Sequence, residues 1–306
     1  MIDIYLDIID NYGDMAFAVK VINSYYYEKR ETHFRLFSNN KELFDIFSVN
    51  FLEWIQIEYY DVSEIQKHTP NTQILNLFER QIDYRFLESF EFEIHLKNFS
   101  YFSLEPYKNP LSPGIQNFHG KISQNKNLIV EHFAVSLLEK TAWVFPESLY
   151  YPEILPKSYF TKTYWLDFNK KCISIFCYPE TLEYLETSWF FENFWAEYIF
   201  LSFGNQKINT ANILLLPFLN MYEYYSLLHH CNGNIVRGEN SCMTALQTQK
   251  PFYWDIYKES NMAHIQKLED FSQYLQSIGW YSDKLIAAQS QGNIHQSYWT
   301  LKEIFT

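Results

Sequence analysis

The sequence predicts an α/β protein of two Rossmann-like domains, each a parallel sheet with covering helices. Three observations support this. Strand-length apolar runs alternate with helix-period segments. The alternation restarts in the second half of the chain. And the length, 306 residues, amounts to about two domains at the usual ~150 residues each.

The first run, Ile2 to Ile9, is rich in Ile, Leu and Tyr and reads as a strand, closed by the turn Asp10-Asn11-Tyr12-Gly13-Asp14. Met15 to Lys29 follows as a helix, with Phe17, Val21, Ile22 and Tyr25 at helical spacing. His33 to Ser38 is the next strand, Asn40 to Phe47 a short helix, and Trp54 to Tyr60 and Gln73 to Phe78 two further strands. The middle is less regular: Pro106, Pro110 and Pro113 interrupt it, then Pro146, Pro152 and Pro156. Residues 150–170 read as a linker between a first domain over 1–155 and a second over 170–290. In the second half, Cys172 to Tyr178, Asn212 to Phe218, Asn234 to Arg237 and Pro251 to Ile256 are strands. Helices fit Tyr222 to His230, Ser241 to Gln249 and Ala263 to Ser277, with a terminal helix from Ile294 to Phe305.

Composition removes several classes of function. Lys and Arg number 24 against 36 Asp and Glu, a net charge of −12, the opposite of a nucleic-acid footprint. Eight glycines in the chain fall far below the usual ~7%, which disfavours glycine-rich phosphate cradles. No apolar run approaches the ~20 residues of a membrane span. Asp3, Asp7 and Asp10 stand where a signal peptide would be basic and then apolar. Cys172, Cys177, Cys231 and Cys242 form no C-x-x-C pair and read as buried thiols in a reducing compartment. The expected location is the cytoplasm.

Two segments could carry chemistry. Asp10 and Asp14 flank a turn at the carboxyl end of the first strand, where parallel sheets bind ligands. One carboxylate can accept or orient a proton while the other positions its partner. The same residues also serve as a capping turn, with Gly13 supplying positive φ. Arg237-Gly238-Glu239-Asn240-Ser241 lies between a strand and a helix, where backbone N–H groups and an Arg fork suit a diphosphate. Glu239 is out of place beside phosphate unless it bonds sugar hydroxyls or a cation; a helix cap with an exposed Arg–Glu pair is the alternative. Tyr178, Tyr224 and Tyr257 flank strand ends of the second half and can stack on a base, or simply pack. The stretch Gly233 to Gly238 has P-loop spacing but Glu239 where Lys is required, and G-x-G-x-x-G, H-E-x-x-H and G-x-S-x-G are all absent. Nicotinamide, zinc and covalent-serine chemistry are therefore not expected.

These segments together resemble the elongation factor P arginine rhamnosyltransferase (EarP) family. Asp10-Asn-Tyr-Gly-Asp14 is similar to its D-N-[FY]-G-D opening, and Asn234-Ile-Val-Arg-Gly-Glu-Asn-Ser241 to N-F-V-R-G-E-D-S. Lys250-Pro-Phe-Tyr-Trp-Asp-Ile-Tyr257 is similar to K-P-F-V-W-x-I-Y, and Ala263-His264 with Lys267-Leu268 to A-H-L-x-K-L. Leu216-Pro-Phe-Leu219, Phe176-Cys-Tyr178 and Tyr101 to Glu105 also look similar to family segments. The likeness is dense over the last third of the chain and thin elsewhere.

The resemblance implies a GT-B glycosyltransferase, its two Rossmann-like domains facing a central cleft and its terminal helix, 291–306, returning to the first domain. It implies inverting transfer of L-rhamnose from dTDP-β-L-rhamnose to an arginine of elongation factor P, with no metal and no other cofactor, no nucleic acid and no membrane. Carried over by position, Asp10, Asp14 and Glu239 are catalytic, Asp14 being the base. Asn11, Tyr12, Gly13, Tyr178, Tyr224, Arg237, Gly238, Asn240, Ser241 and Tyr257 bind the donor. The chain departs from the family at Asn240, where Asp stands, at Met221 in place of Gln, at Ala16 in place of Gly, and over Ala134 to Lys140. Another nucleotide sugar, or a weak catalyst that mainly binds a translation factor, are the alternatives.

Overall fold

The computed structural model describes residues 1–8, 11–78, 80–103, 127–136, 153–187, 198–203, 213–257, 264–265, 268–269 and 271. The chain divides into two compact units, Met1–Tyr151 and Pro152–Thr306.

The first unit holds a six-stranded sheet of β1 (Ile2–Leu6), β2 (His33–Ser38), β3 (Gln56–Asp61), β4 (Gln73–Leu77), β5 (Ile94–Ser103) and β6 (Leu128–Ser136). The order is β3-β2-β1-β4-β5-β6 and every pairing is parallel. This is the doubly wound order, and it reverses between β1 and β4, which places the ligand crevice at their carboxyl ends. Helix α1 (Asn11–Lys29) follows β1 and is buried on all sides from Asp14 to Tyr25. The side chain of Asn23 anchors it, donating to Asn50 O (3.1 Å) and accepting from Leu52 N–H (3.3 Å). Helix α2 (Lys41–Phe47) starts where Asn40 Oδ1 accepts the Leu43 N–H, and α3 (Tyr84–Glu88) starts under Asp83.

Strands β5 and β6 fill the middle that looked irregular. The pattern of β5 obscures it: His95 and Lys97 alternate with buried Ile94 and Leu96, and the buried Asn98 is accommodated by accepting a hydrogen bond from Asn76 (2.7 Å). Near the amino ends of the sheet, buried Asp3 takes a two-pronged bond from Arg35 (2.7 Å each) and two more from Asn71. All of this carboxylate's charge is spent inside the fold.

The second unit holds β7 (Lys171–Ile175), β8 (Tyr198–Phe203), β9 (Ile213–Leu216), β10 (Gly233–Arg237) and β11 (Phe252–Asp255). Their order is β11-β10-β7-β8-β9, again all parallel. Counted from β7, the strands repeat the doubly wound pattern, with the reversal between β7 and β10. The helices are α4 (Lys157–Tyr164), α5 (Pro179–Thr187), α6 (Met221–His230) and α7 (Glu239–Gln247).

Helix α4 occupies the stretch expected to be a linker. Its threonines and flanking prolines give little local helix signal, and tertiary contacts hold it instead. Phe160 is fully buried, and Glu223 of α6 accepts hydrogen bonds from Tyr159 and Tyr164 (2.6 Å each). Trp165 closes the helix at φ 59°, a position usually taken by Gly. Arg30 and Gln249 adopt the same left-handed backbone after α1 and α7, as a chain so poor in glycine requires. All four cysteines are buried and free; burial pushes the Cys172 thiol up to about 11 and those of Cys231 and Cys242 well above the usual range. Of the expected helix over 263–277, Leu268 and Phe271 are buried, and Phe271 packs edge-on against Trp254 at 5.2 Å. The expected terminal helix lies outside the described residues. Among the described residues no helix is long and apolar enough to cross a membrane.

Candidate active site

In the first unit, the chain leaves β1 under control of its neighbours. Asn39 grips Ile8, accepting its N–H (2.9 Å) and donating to its carbonyl (3.3 Å). Asp7 pairs with Arg80, which follows β4, so a salt bridge straddles the switch point. Beside it is a cavity of about 280 Å³ whose lining includes Tyr5, Gln66, Arg80, Asp83 and Phe86.

Helix α1 begins at Asn11 rather than after Asp14, which corrects the expected turn. Gly13 is part of the first helical turn, and Gly238 is the glycine with positive φ among the described residues. Asp14 is therefore an acidic residue in the first turn of a helix, where the positive end of the helix dipole favours its charge. It is 1% exposed. Tyr12 is half-buried and packs on Phe47 at 6.1 Å. Asp10 lies outside the described residues. Six residues after Asp14 on the same helix, buried Lys20 has its ammonium pushed down to about 7 by desolvation.

In the second unit the carboxyl ends of β7, β10 and β11 converge. Arg237 ends β10, and its guanidinium carbon lies 4.4 Å from the Phe176 ring centroid and 5.3 Å from that of Tyr178. Two aromatic faces thus fix the fork by cation–π attraction. Tyr257, mostly exposed, meets Tyr178 edge to face at 5.8 Å. Gly238 then takes φ 63°, ψ 156° and no side chain caps α7, so its first amides are offered by backbone alone. Glu239 is the first residue of α7, two before the expected start at Ser241. Ser241 is buried and donates its hydroxyl proton to Arg237 O. Burial pushes the Tyr224 phenol well above the ordinary range, and its ring meets Phe176 at 6.1 Å.

The second unit therefore brings together Tyr178, Tyr224, Arg237, Gly238, Ser241 and Tyr257, with Glu239 and Asn240 in the first turn of α7. Asn11, Tyr12, Gly13 and Asp14 are grouped separately in the first turn of α1. Tyr224 sits on α6 and not at a strand end, so it reaches the group from the helix side. Three contacts went unread in the sequence. Phe176 has a local signal only in its position two residues from Tyr178, the spacing of a shared face. Asp7 with Arg80, and Asp255 with Tyr178 and Thr181, join distant segments and left no local signal.

Comparison with known proteins accords with this geometry. The profile of the family described as Elongation-Factor P (EF-P) rhamnosyltransferase EarP matches residues 2–300. A protein-arginine rhamnosyltransferase of Pseudomonas aeruginosa is 35% identical over 78 residues, 25% of this chain and 21% of its own. The chain thus spans, by alignment, about a fifth of the length of that curated relative. Among solved structures, the glycosyltransferase SnogD from Streptomyces nogalater superimposes with a TM-score of 0.57 at 10% identity, over 91% of this chain and 85% of its own. The spinosyn rhamnosyltransferase SpnG gives 0.56 at 10% identity, over 99% and 91%. At such identity these two establish the fold alone: two parallel-sheet α/β domains of the GT-B glycosyltransferase type.

Proposed function

Since the chain belongs to the EF-P rhamnosyltransferase family EarP, we propose that it is a protein-arginine rhamnosyltransferase, using dTDP-β-L-rhamnose and modifying an arginine of elongation factor P in the cytoplasm. The observation that carries this reading is the donor-side group of the second unit: Arg237 between Phe176 and Tyr178, beside a helix start entered through Gly238 with no side-chain cap.

Backbone N–H groups at the start of α7 and the Arg237 fork bind the diphosphate and stabilise the charge that builds on it as the glycosidic bond breaks. Tyr178 and Tyr257 form an aromatic surface for the base. Ser241 holds the β10–α7 turn through Arg237 O and Tyr224 backs it by packing on Phe176, with Asn240 facing the donor from the first helical turn. Glu239 bonds sugar hydroxyls or the incoming cation. On the acceptor side, a guanidinium is protonated at physiological pH, since its pKa exceeds ~12. Asp14, with Asp10, orients it through paired hydrogen bonds and takes its proton as the C–N bond forms. This scheme asks nothing of a metal, because the protein's own cation and amides stabilise the leaving group.

The test is intact-mass analysis of elongation factor P incubated with this protein and dTDP-rhamnose. A gain of one deoxyhexosyl group, mapped to an arginine, is expected. No gain with dTDP-rhamnose, and a gain with another nucleotide sugar, would reassign the donor.

A further inference from the structure

We infer that Asp255 is a positioning residue of the donor site, holding Tyr178 in place over Arg237. Asp255 ends β11 and is 4% exposed. Its Oδ2 accepts the Tyr178 N–H at 2.7 Å and its Oδ1 accepts the Thr181 hydroxyl at 2.8 Å. Strand β10 lies between β7 and β11, and Asp255 is the register partner of Arg237 on β10. The carboxylate therefore reaches past the end of β10 to seize the turn that follows β7.

The local sequence explains why a distant side chain is used. Tyr178 precedes Pro179, the first residue of α5, so the usual capping residue types are missing at this helix start. Proline contributes no N–H, and the Tyr178 N–H just before α5 and the Thr181 hydroxyl in its first turn both find their acceptor in Asp255. A local Ser or Asp cap would have steadied α5 and nothing more. A cap from β11 fixes Tyr178 against the strand pair that carries Arg237. The ring then stands 5.3 Å from the guanidinium, and the turn also brings Cys177 O to 3.5 Å from Arg237 Nη1. Asp255 thus acts on the donor through Tyr178 and Arg237, without touching it.

This inference rests on the donor reading given above, and the experiment separates the two. Calorimetry with dTDP is run on the wild type, Arg237→Ala, Asp255→Ala, Asp255→Asn, Thr181→Val and the Asp255→Ala/Arg237→Ala double variant, each checked by thermal melting. Asp255→Ala should weaken dTDP binding about tenfold, as expected for hydrogen bonds to a charged acceptor. Asp255→Asn should restore affinity to within about threefold, since its carbonyl accepts from Tyr178 and its amide donates to Thr181 Oγ1. The double variant should bind no more weakly than Arg237→Ala, because the two losses share one route. Thr181→Val removes one bond at nearly constant shape and should cost about threefold, which decides the matter if Asp255→Ala does not fold. Wild-type affinity in Asp255→Ala or Thr181→Val, no recovery in Asp255→Asn, or additive losses in the double variant would overturn the inference. Equal dTDP affinity in the wild type and Arg237→Ala would instead remove the donor reading on which it stands.

Discussion

The two sheets reverse their strand order in the same way, and both helix starts carry a carboxylate, yet only the second is entered through an arginine. In the first unit the helix after β1 opens with a carboxylate, Asp14, and Asp7, just beyond the strand, is paired with Arg80. In the second unit the helix after β10 is entered through Arg237 and Gly238, with no side-chain cap, and opens with Glu239. Topology alone supplies two crevices; the residues around them decide what each attracts. A carboxylate at a helix start suits a cationic guanidinium, and an arginine beside a helix N-terminus suits a diphosphate.

The contrast has consequences that can be measured, the largest first. Asp14→Asn should lower the transfer rate by ~10²–10⁴, the usual cost of losing a positioned general base, with the thermal melt little changed. Undiminished turnover in a rate assay would reduce the first crevice to a capped helix. Arg237→Ala should weaken dTDP by at least about tenfold in a titration, since it removes charge-assisted bonds worth roughly twice a neutral one. Asn240→Asp should alter donor affinity only about fivefold, because an amide oxygen still accepts where a carboxylate does, with a bond weaker by about 1 kcal/mol.

The smallest effect concerns stability and separates buried charge that serves a site from buried charge that burdens the fold. Lys20 shares α1 with Asp14, and desolvation lowers its ammonium from 10.5 to about 7. The native state therefore binds fewer protons than the unfolded chain between those values, and stability rises with pH through that window. Lys20→Met should raise the melting temperature by a few °C at pH 7, and the gain should shrink by pH 10. A gain independent of pH would show that packing, and not charge, is responsible.

How much of this was legible in the sequence differs between the units. His33 to Ser38 and the strand containing Ile235 and Val236 announced themselves, because buried parallel strands are apolar runs bounded by turns. Strand β5 did not, since His95, Lys97 and Asn98 are tolerated near the sheet edge and one of them is satisfied only by Asn76 across the ladder. Helix α4 was hidden for the same reason: Glu223, 59 residues from Tyr164, supplies what propensity lacks. At the candidate site, the placement of Asp14 after a strand and of Arg237 at a strand end was legible because each belongs to a short motif. Phe176 and Asp255 act through contacts that only the folded sheet creates.

The most direct test of this division of labour is calorimetry with dTDP on Asp14→Asn and Arg237→Ala side by side. The account predicts that Asp14→Asn binds dTDP as the wild type does, while Arg237→Ala binds at least about tenfold more weakly. Equal weakening in both variants would contradict the assignment of acceptor chemistry to the first crevice and donor binding to the second.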